Sequence, residues 1–207
     1  MISDFSVIIH AIFLAFGLIM PLGVQNIFLF NQGASHKNIS GFLPSVITAS
    51  ICDTFLISLA VLGVSILVLK IAFLKYAILI VGFFFLVYMG YSTWAAASQN
   101  FSSKIETMSA QKQIIFATSA SLLNPHAIID TIVVIGSNAS RYNHHDKIIF
   151  TITCILVSWV WFFSIAFMGH KIREFDKAGF LIKNINRVSA IIIWLVAIYI
   201  AIKIFTE

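Results

Sequence analysis

Two acidic residues lie in apolar stretches of the sequence, where a charge is costly. Of the eight Asp and Glu residues, only Asp53 and Asp130 fall within long hydrophobic segments, and no Lys or Arg lies deep in one. His126 precedes Asp130 by four residues, which places both on one face of a helix. We identify His126 as the only candidate cation inside these segments. Buried carboxylates without a fixed positive partner suit a cation or a proton, so we predict that Asp53, Asp130 and His126 take part in proton coupling.

Less specific roles remain open for the same residues. A buried carboxyl can simply stay protonated because burial disfavours its charge, and His126 can be a hydrogen-bonded structural residue. Thr54 and Thr131 each follow one of the two acids. Their hydroxyls could hydrogen-bond a carboxylate or a ligand, or they could bond back to their own helices.

Two apolar segments are interrupted by proline beside side-chain amides. The first interruption reads PLGVQN (21–26), with Pro21 and Gly23, and the second reads LLNPHA (122–127), with Pro125. Proline removes a backbone donor and frees a carbonyl one turn earlier. Within a bilayer, freed backbone groups are tolerated only against protein or a water-lined cavity. Interruptions at matching places in two halves of a chain indicate the central site of a transporter, although single prolines also kink ordinary membrane helices.

The composition is that of a polytopic membrane protein. The 207 residues are 60% hydrophobic and 10% charged, with a mean hydropathy of +0.99. A soluble domain of this size cannot bury so much apolar surface. We read the net charge of +5 as a mark of cytoplasmic loops rather than of nucleic-acid binding. Cys52 and Cys154 are predicted to be buried free thiols.

Hydropathy predicts an all-α fold with six transmembrane helices. The predicted spans run roughly over 5–30, 42–69, 71–92, 112–138, 147–169 and 185–206, each near the ~20 residues that cross a bilayer. Six spans divide into two inverted three-helix repeats with broken first helices. We predict a first repeat over 1–98, a cytoplasmic linker over 99–111 and a second repeat over 112–207.

Loop charges predict the orientation. Three loops on one face, 31–40, 98–113 and 170–187, contain eight of the thirteen Lys and Arg residues. The face richer in these residues is usually cytoplasmic. We therefore predict that both termini lie outside the cytoplasm.

The motifs resemble those of a known transporter family. PLGVQNIFLFNQG (21–33), CDTFLI (52–57) and SLLNPHAIIDTIVVIG (121–136) follow one another as in the LysE family of basic amino-acid exporters, and the LNPHA stretch is similar to its lysine and arginine branch. Two positions depart from the family pattern: Val24 follows Gly23 where a proline is common, and Asn31 stands where an arginine is frequent.

The resemblance implies an exporter of arginine or lysine in a bacterial inner membrane, driven by protons or by the membrane potential. As a hypothesis of our own, helix ends and the amides bind the substrate's zwitterionic end, and the two acids bind its cationic side chain or exchange it against protons. The residues that carry over from the family motifs are Gln25, Asn26, Asp53, Asn124, Pro125, His126, Asp130 and Thr131.

Other functions remain as alternatives. One alternative is an exporter of neutral amino acids with the same fold, but a neutral substrate does not account for the two acids. A cation or metal transporter could use them, but one His and two scattered thiols make a poor soft-metal site. An intramembrane aspartyl protease also needs two acids. We expect no enzymatic activity, cofactor, metal or nucleic-acid partner; lipid surrounds the protein, and a homodimer is possible.

Overall fold

A computed structural model describes residues 4–20, 23–63, 72–98, 107–124, 128, 131–175 and 180–206. Helices make up the secondary structure of these residues, and none of them forms a strand. The all-α fold class is therefore confirmed. Most of the predicted linker over 99–111 lies outside the described residues. Residues 107–109 are described, and the next helix begins at Ala110.

The described residues of the first half form four helices. They are α1 (Asp4–Ile19), α2 (Val24–Ser35), α3 (Ile39–Val61) and α4 (Ala72–Ser98). The axes of α1 and α2 are inclined at 81° to one another. The predicted first span is therefore two helices with a bend between them, whereas an uninterrupted span would form one straight helix.

The α3 helix ends eight residues before the predicted end of the second span at 69. Its last residue is Val61, and Gly63 follows in a left-handed conformation with φ of 73°. A glycine just beyond a helix end adopts this conformation without the steric penalty that a Cβ brings. Hydropathy missed this end because the residues that follow are as apolar as the helix itself.

The described residues of the second half form five further helical elements. They are α5 (Ala110–Leu122), a π-helical segment (Thr131–Ile135), the short α6 (Gly136–Ala139), α7 (His144–Phe175) and α8 (Phe180–Thr206). The predicted fourth span is thus divided among α5, the π-helical segment and α6. The amide side chain of Asn138 bonds the carbonyl of Val134 at 2.8 Å, across the junction of the π-helical segment with α6.

Three of the described helices are long and apolar enough to cross a membrane by themselves: Ile39–Val61, His144–Arg173 within α7, and Lys183–Ile202 within α8. The bent pair of α1 and α2 makes up to four. Leu79–Ala95 within α4 is a shorter apolar helix.

The α7 helix is the centre of the fold. It packs against α1, α2 and α3, while α3 also packs against α5 and the π-helical segment, and α4 pairs with α8. Two larger clusters of buried apolar residues result, one around Phe42, Leu29 and Phe162 and one around Val7 and Phe150, and a small third cluster contains Leu56, Ile128 and Ile132. The cluster members face one another across these helix contacts, so the core lies along both sides of α7.

Apolar side chains also cover the outside of the helices. On α8, exposed residues recur every three or four positions, at Val188, Ile191, Leu195, Ile198 and Ile202. Such spacing marks one continuous helix face. An outward face of this kind is what a membrane-spanning helix presents.

Candidate functional site

The side chain of Asn26 links the ends of α1 and α2. Its Nδ2 donates to the carbonyl of Ile19 at 2.6 Å, and its Oδ1 accepts from Nε1 of Trp161 on α7 at 3.2 Å. The last carbonyls of a helix have no partner within the helix. Asn26 therefore satisfies one such carbonyl at the break and fixes the break against α7.

The N-terminus of α2 has a glycine at its N-cap position. Gly23 is extended, with φ of −79° and ψ of 174°, and has no side chain that could cap the helix, so we call this N-terminus open. The first N–H groups of a helix lack internal acceptors and carry a partial positive charge. The Nε2 of Gln25, in the same turn, is buried and has no hydrogen-bond partner among the described residues. This end of α2 therefore offers several donors to an anionic group.

Asp53 supplies the negative charge of the site. It lies on α3 beside Ser158 of α7, whose hydroxyl donates to the carbonyl of Ile155 at 2.9 Å. The neighbouring Thr54 bonds back to the carbonyl of Ser50 at 2.7 Å and accepts from Nε1 of Trp159 at 3.0 Å. The expectation that Thr54 could bond back to its own helix is thus confirmed. The hydroxyl that lies beside Asp53 is instead that of Ser158 on α7.

The end of α5 contributes a third amide. Asn124 is only 8% exposed, and its Oδ1 has no hydrogen-bond partner among the described residues. Its backbone carbonyl accepts from the N–H of Ile128 at 3.1 Å. Thr131 begins the π-helical segment that follows. Single π-helical turns occur often at functional sites, and here the turn stands directly after the interruption.

These groups surround one cavity of about 150 Å³. It lies near the middle of α7, which contributes Cys154, Ser158 and Phe162 to its wall. About 10–15 Å³ of volume measured in this way holds one water molecule, so the cavity has room for a small polar ligand. We call it the central cavity, and its polar wall consists of Gly23, Gln25, Asn26, Asp53, Asn124, Thr131 and Ser158.

The cavity has hydrogen-bond donors on one helix and an acid on another. The donors of α2 suit a carboxylate, whereas Asp53 on α3 suits a cation or a proton. Apolar side chains such as Ile57 and Ile135 complete the wall. A small molecule that carries both a carboxylate and a positive group would match this arrangement.

The comparison with protein families decides what kind of protein this is. The model of the LysE type translocator matches residues 16–204, nearly the whole chain. The chain belongs to the LysE family. It is therefore a multi-pass membrane protein of a translocator family.

Curated members of the LysE family align over most of their length. The putative amino-acid transporter YisU of Bacillus subtilis (strain 168) is 46% identical over 96% of this chain and 90% of its own. The arginine exporter protein ArgO is 28% identical in Pectobacterium carotovorum, over 95% of this chain and 97% of its own. In Escherichia coli (strain K12) it is also 28% identical, over 95% and 94%. No solved structure matches.

Most of the residues predicted from the LysE motifs meet at the central cavity. The structure brings together Gly23, Gln25, Asn26, Asp53, Asn124 and Thr131. The other predicted residues, Pro21, Pro125, His126 and Asp130, lie outside the described residues. The part that each residue plays in binding or proton coupling stays a prediction.

Sequence reasoning missed three further residues. Ser158 and Trp161 contact Asp53 and Asn26 from α7, but nothing in their sequence surroundings resembles a motif. The third is His10, which lies in the first predicted span, so the interpretation of His126 as the only candidate cation inside the spans is wrong. His10 lies on α1, where its Nδ1 and the hydroxyl of Tyr142 form a hydrogen bond of 2.5 Å. Its position in an apolar helix would have been a sufficient signal.

Cys52 and Cys154 are both free and buried, as the sequence predicts. The Sγ of Cys154 lies 3.9 Å from the carbonyl of Ala11. The two thiols act as small apolar side chains in the helix contacts.

Proposed function

We propose that this LysE family member is a secondary transporter that exports a basic amino acid, arginine or lysine. The observation that supports it best is the central cavity, which joins the carboxylate of Asp53 to the open N-terminus of α2. An α-amino acid with a cationic side chain needs a donor group for its carboxylate and acceptors for two positive groups. Both kinds of partner line this cavity.

Each cavity residue has a role in the proposal. The donors at Gln25 and the α2 N-terminus bind the substrate carboxylate, while the free oxygen of Asn124 accepts from its α-ammonium. Asp53 binds the cationic side chain and exchanges it for a proton. Asp130 and His126, four residues apart, complete the proton path, and Thr131 binds the substrate. The relatives named arginine exporters favour arginine over lysine.

The helix contacts support the proposal of two inverted repeats, each with three spans. In the first half, α1 and α2 pack against α7 of the second half; in the second half, α5 and the π-helical segment pack against α3 of the first. Contacts also join α3 to α7 and α4 to α8. Each element thus has a counterpart in the other half: α1 and α2 correspond to α5 and the π-helical segment, α3 to α7, and α4 to α8. When each element is exchanged for its counterpart, this set of contacts stays the same. Rocking of one half against the other would alternate access to the central cavity.

We further propose an inner-membrane protein with both termini outside the cytoplasm, surrounded by lipid and able to form a homodimer. The exposed apolar face of α8 fits contact with lipid or with a second copy. Transport is driven by the proton gradient or by the membrane potential. A one-for-one exchange of the cationic substrate against a proton moves no net charge and responds to the proton gradient alone, whereas movement of the cation without a proton responds to the potential.

Replacement of Asp53 tests the proposal. Inside-out membrane vesicles that contain the protein are expected to take up labelled arginine, and Asp53→Asn is expected to lower the initial rate at least tenfold because it removes the negative charge from the cavity. Asp4→Asn is the matched control, because the Asp4 side chain is 65% exposed at the start of α1. Unchanged uptake by the Asp53→Asn vesicles would remove this acid from the mechanism.

A second candidate function is the export of neutral amino acids. The relative at 46% identity is named as a putative amino-acid transporter, without a basic substrate. The same vesicles distinguish the two: leucine uptake that exceeds arginine uptake, and that survives Asp53→Asn, would favour the neutral alternative.

A further inference from the structure

A second polar cavity of about 150 Å³ lies between α2, α4, α5 and α8. None of the residues singled out in the sequence as site residues lines it. It adjoins the half of α2 that ends at Ser35, whereas the central cavity adjoins the half that begins at Val24. We call it the second cavity.

Three buried amide oxygens of the second cavity have no hydrogen-bond partner among the described residues. They are Oδ1 of Asn31, Oε1 of Gln32 and Oδ1 of Asn186. Gln32 and Asn186 are each only 6% exposed. The Nε2 of Gln32 is already directed at the sulfur of Met108, 3.6 Å away, so its oxygen is left for another donor. Buried acceptors are rarely left without a donor, which points to a ligand rich in N–H groups.

Two aromatic rings stand at the same cavity. The centroids of Phe28 and Phe116 are 4.5 Å apart, with the rings inclined at 32°. A ring face attracts a cation, and a guanidinium also stacks on it. No charged side chain among the described lining residues would bind an anion. Acceptors together with aromatic faces therefore select an organic cation.

We propose that the second cavity binds the guanidinium group of a basic amino acid or of a simple alkylguanidine. This rests on the proposed function and adds a separate station for the substrate's cationic end. A planar guanidinium carries five N–H donors, which several acceptors from α2 and α8 can share.

The order of residues along α2 relates the two cavities. Gln25 lines the central cavity, Phe28 follows one turn later, and Gln32 comes one turn after that. Residues at this spacing lie on one helix face. The Phe28 ring therefore stands between the two polar regions. Because Lys37, in the connection between α2 and α3, lies beyond Gln32, the second cavity is on the side that we predict to be cytoplasmic, where an exported substrate would first arrive.

The test uses the purified full-length protein in nanodiscs and n-butylguanidinium chloride, which lacks the amino-acid end. Calorimetric titration is made in the Asp53→Asn background, so that binding to that acid does not contribute. Saturable binding is expected, and Asn186→Leu or Gln32→Met is expected to weaken it at least tenfold. Both replacements remove a buried group that had an unpaired oxygen, so the melting temperature should not fall, which shows that the variants fold.

Ser50→Ala is the matched control. The Ser50 hydroxyl is also buried without a partner among the described residues, but it lines neither cavity, so binding should be unchanged. Equal binding in the Asn186→Leu protein and its parent, or heat that follows NaCl rather than butylguanidinium, would overturn the proposal. Loss of all butylguanidinium binding in Asp53→Asn alone would also overturn it, while leaving the proposed function of the central cavity intact.

Discussion

Among the amide side chains of the central cavity, some stabilise the helix break and others have polar atoms that can bind a ligand. Asn26 uses both ends of its amide for structure, because it bonds Ile19 and Trp161. Gln25 and Asn124 each keep one polar atom without a partner among the described residues. Of these three amides, Asn26 therefore supports the helix break, whereas Gln25 and Asn124 are available to a ligand.

Asn26→Leu is expected to destabilise the protein. The change keeps the shape but leaves the Ile19 carbonyl and the Trp161 N–H without this partner, at a cost of about 1–3 kcal/mol for each buried group. The melting temperature of the purified protein in detergent should fall. Trp161→Phe in the Asn26→Leu background should cost less than it does in the wild-type protein, since the two residues share a bond. Fully additive losses would contradict the shared role.

At the scale of elements, α2 and α7 cross at unusually short range. A Cβ on Gly33 would overlap the carbonyl oxygen of Ala166, and one on Gly169 would overlap the carbonyl oxygen of Phe30. Both obstacles are backbone atoms, which cannot rotate away as a side chain would. The two glycines therefore allow α2 to lie against α7, and this contact positions Asn26 beside Trp161.

Gly33→Ala and Gly169→Ala are expected to lower the melting temperature, with a cost of about 1–3 kcal/mol typical of overpacking. Gly17→Ala is the control, because a Cβ there would meet nothing within 4 Å. Since alanine is the better helix former by about 1 kcal/mol, the control should be neutral or slightly more stable. A melting temperature unchanged by Gly33→Ala would argue against the close crossing.

At the scale of the whole molecule, α7 connects two opposite ends. Its first residue is His144, and His170 near its other end bonds the carbonyl of His36 through Nδ1 at 3.0 Å. At 1.5 Å for each residue, the two histidines are about 39 Å apart along the helix. The loop with Lys37 and the loop before His144 therefore lie at opposite ends of the structure, with the central cavity between them.

Cysteine labelling can test which end faces the cytoplasm. In right-side-out vesicles, His144→Cys is expected to react with a membrane-impermeant maleimide, whereas Lys37→Cys should react only after the vesicles are opened. Both native positions are exposed, and the native cysteines are buried, so the wild-type protein gives the background. The reverse labelling pattern would show that the loop charges predict the wrong orientation.

Much of the site was predictable because its residues follow one another in short motifs. Gln25 and Asn26 stand beside one interruption, Asn124 beside the other, and Asp53 is an acid in an apolar segment. Local rules for proline, helix ends and buried charge identify such residues without knowledge of the fold. The end of α3 escaped prediction because a left-handed glycine stops a helix without any change in hydropathy.

The sequence by itself determined the membrane class, the helical fold, the interruptions and the acid that lies among apolar residues, since composition and local spacing fix these. Only the tertiary structure decided that α7 supplies Ser158 to Asp53 and Trp161 to Asn26. It also decided that amides of α2 and α8 enclose a second cavity. The physical reason is that contacts between residues more than a hundred positions apart depend on how helices cross, and small side chains such as Gly33 and Gly169 control that crossing.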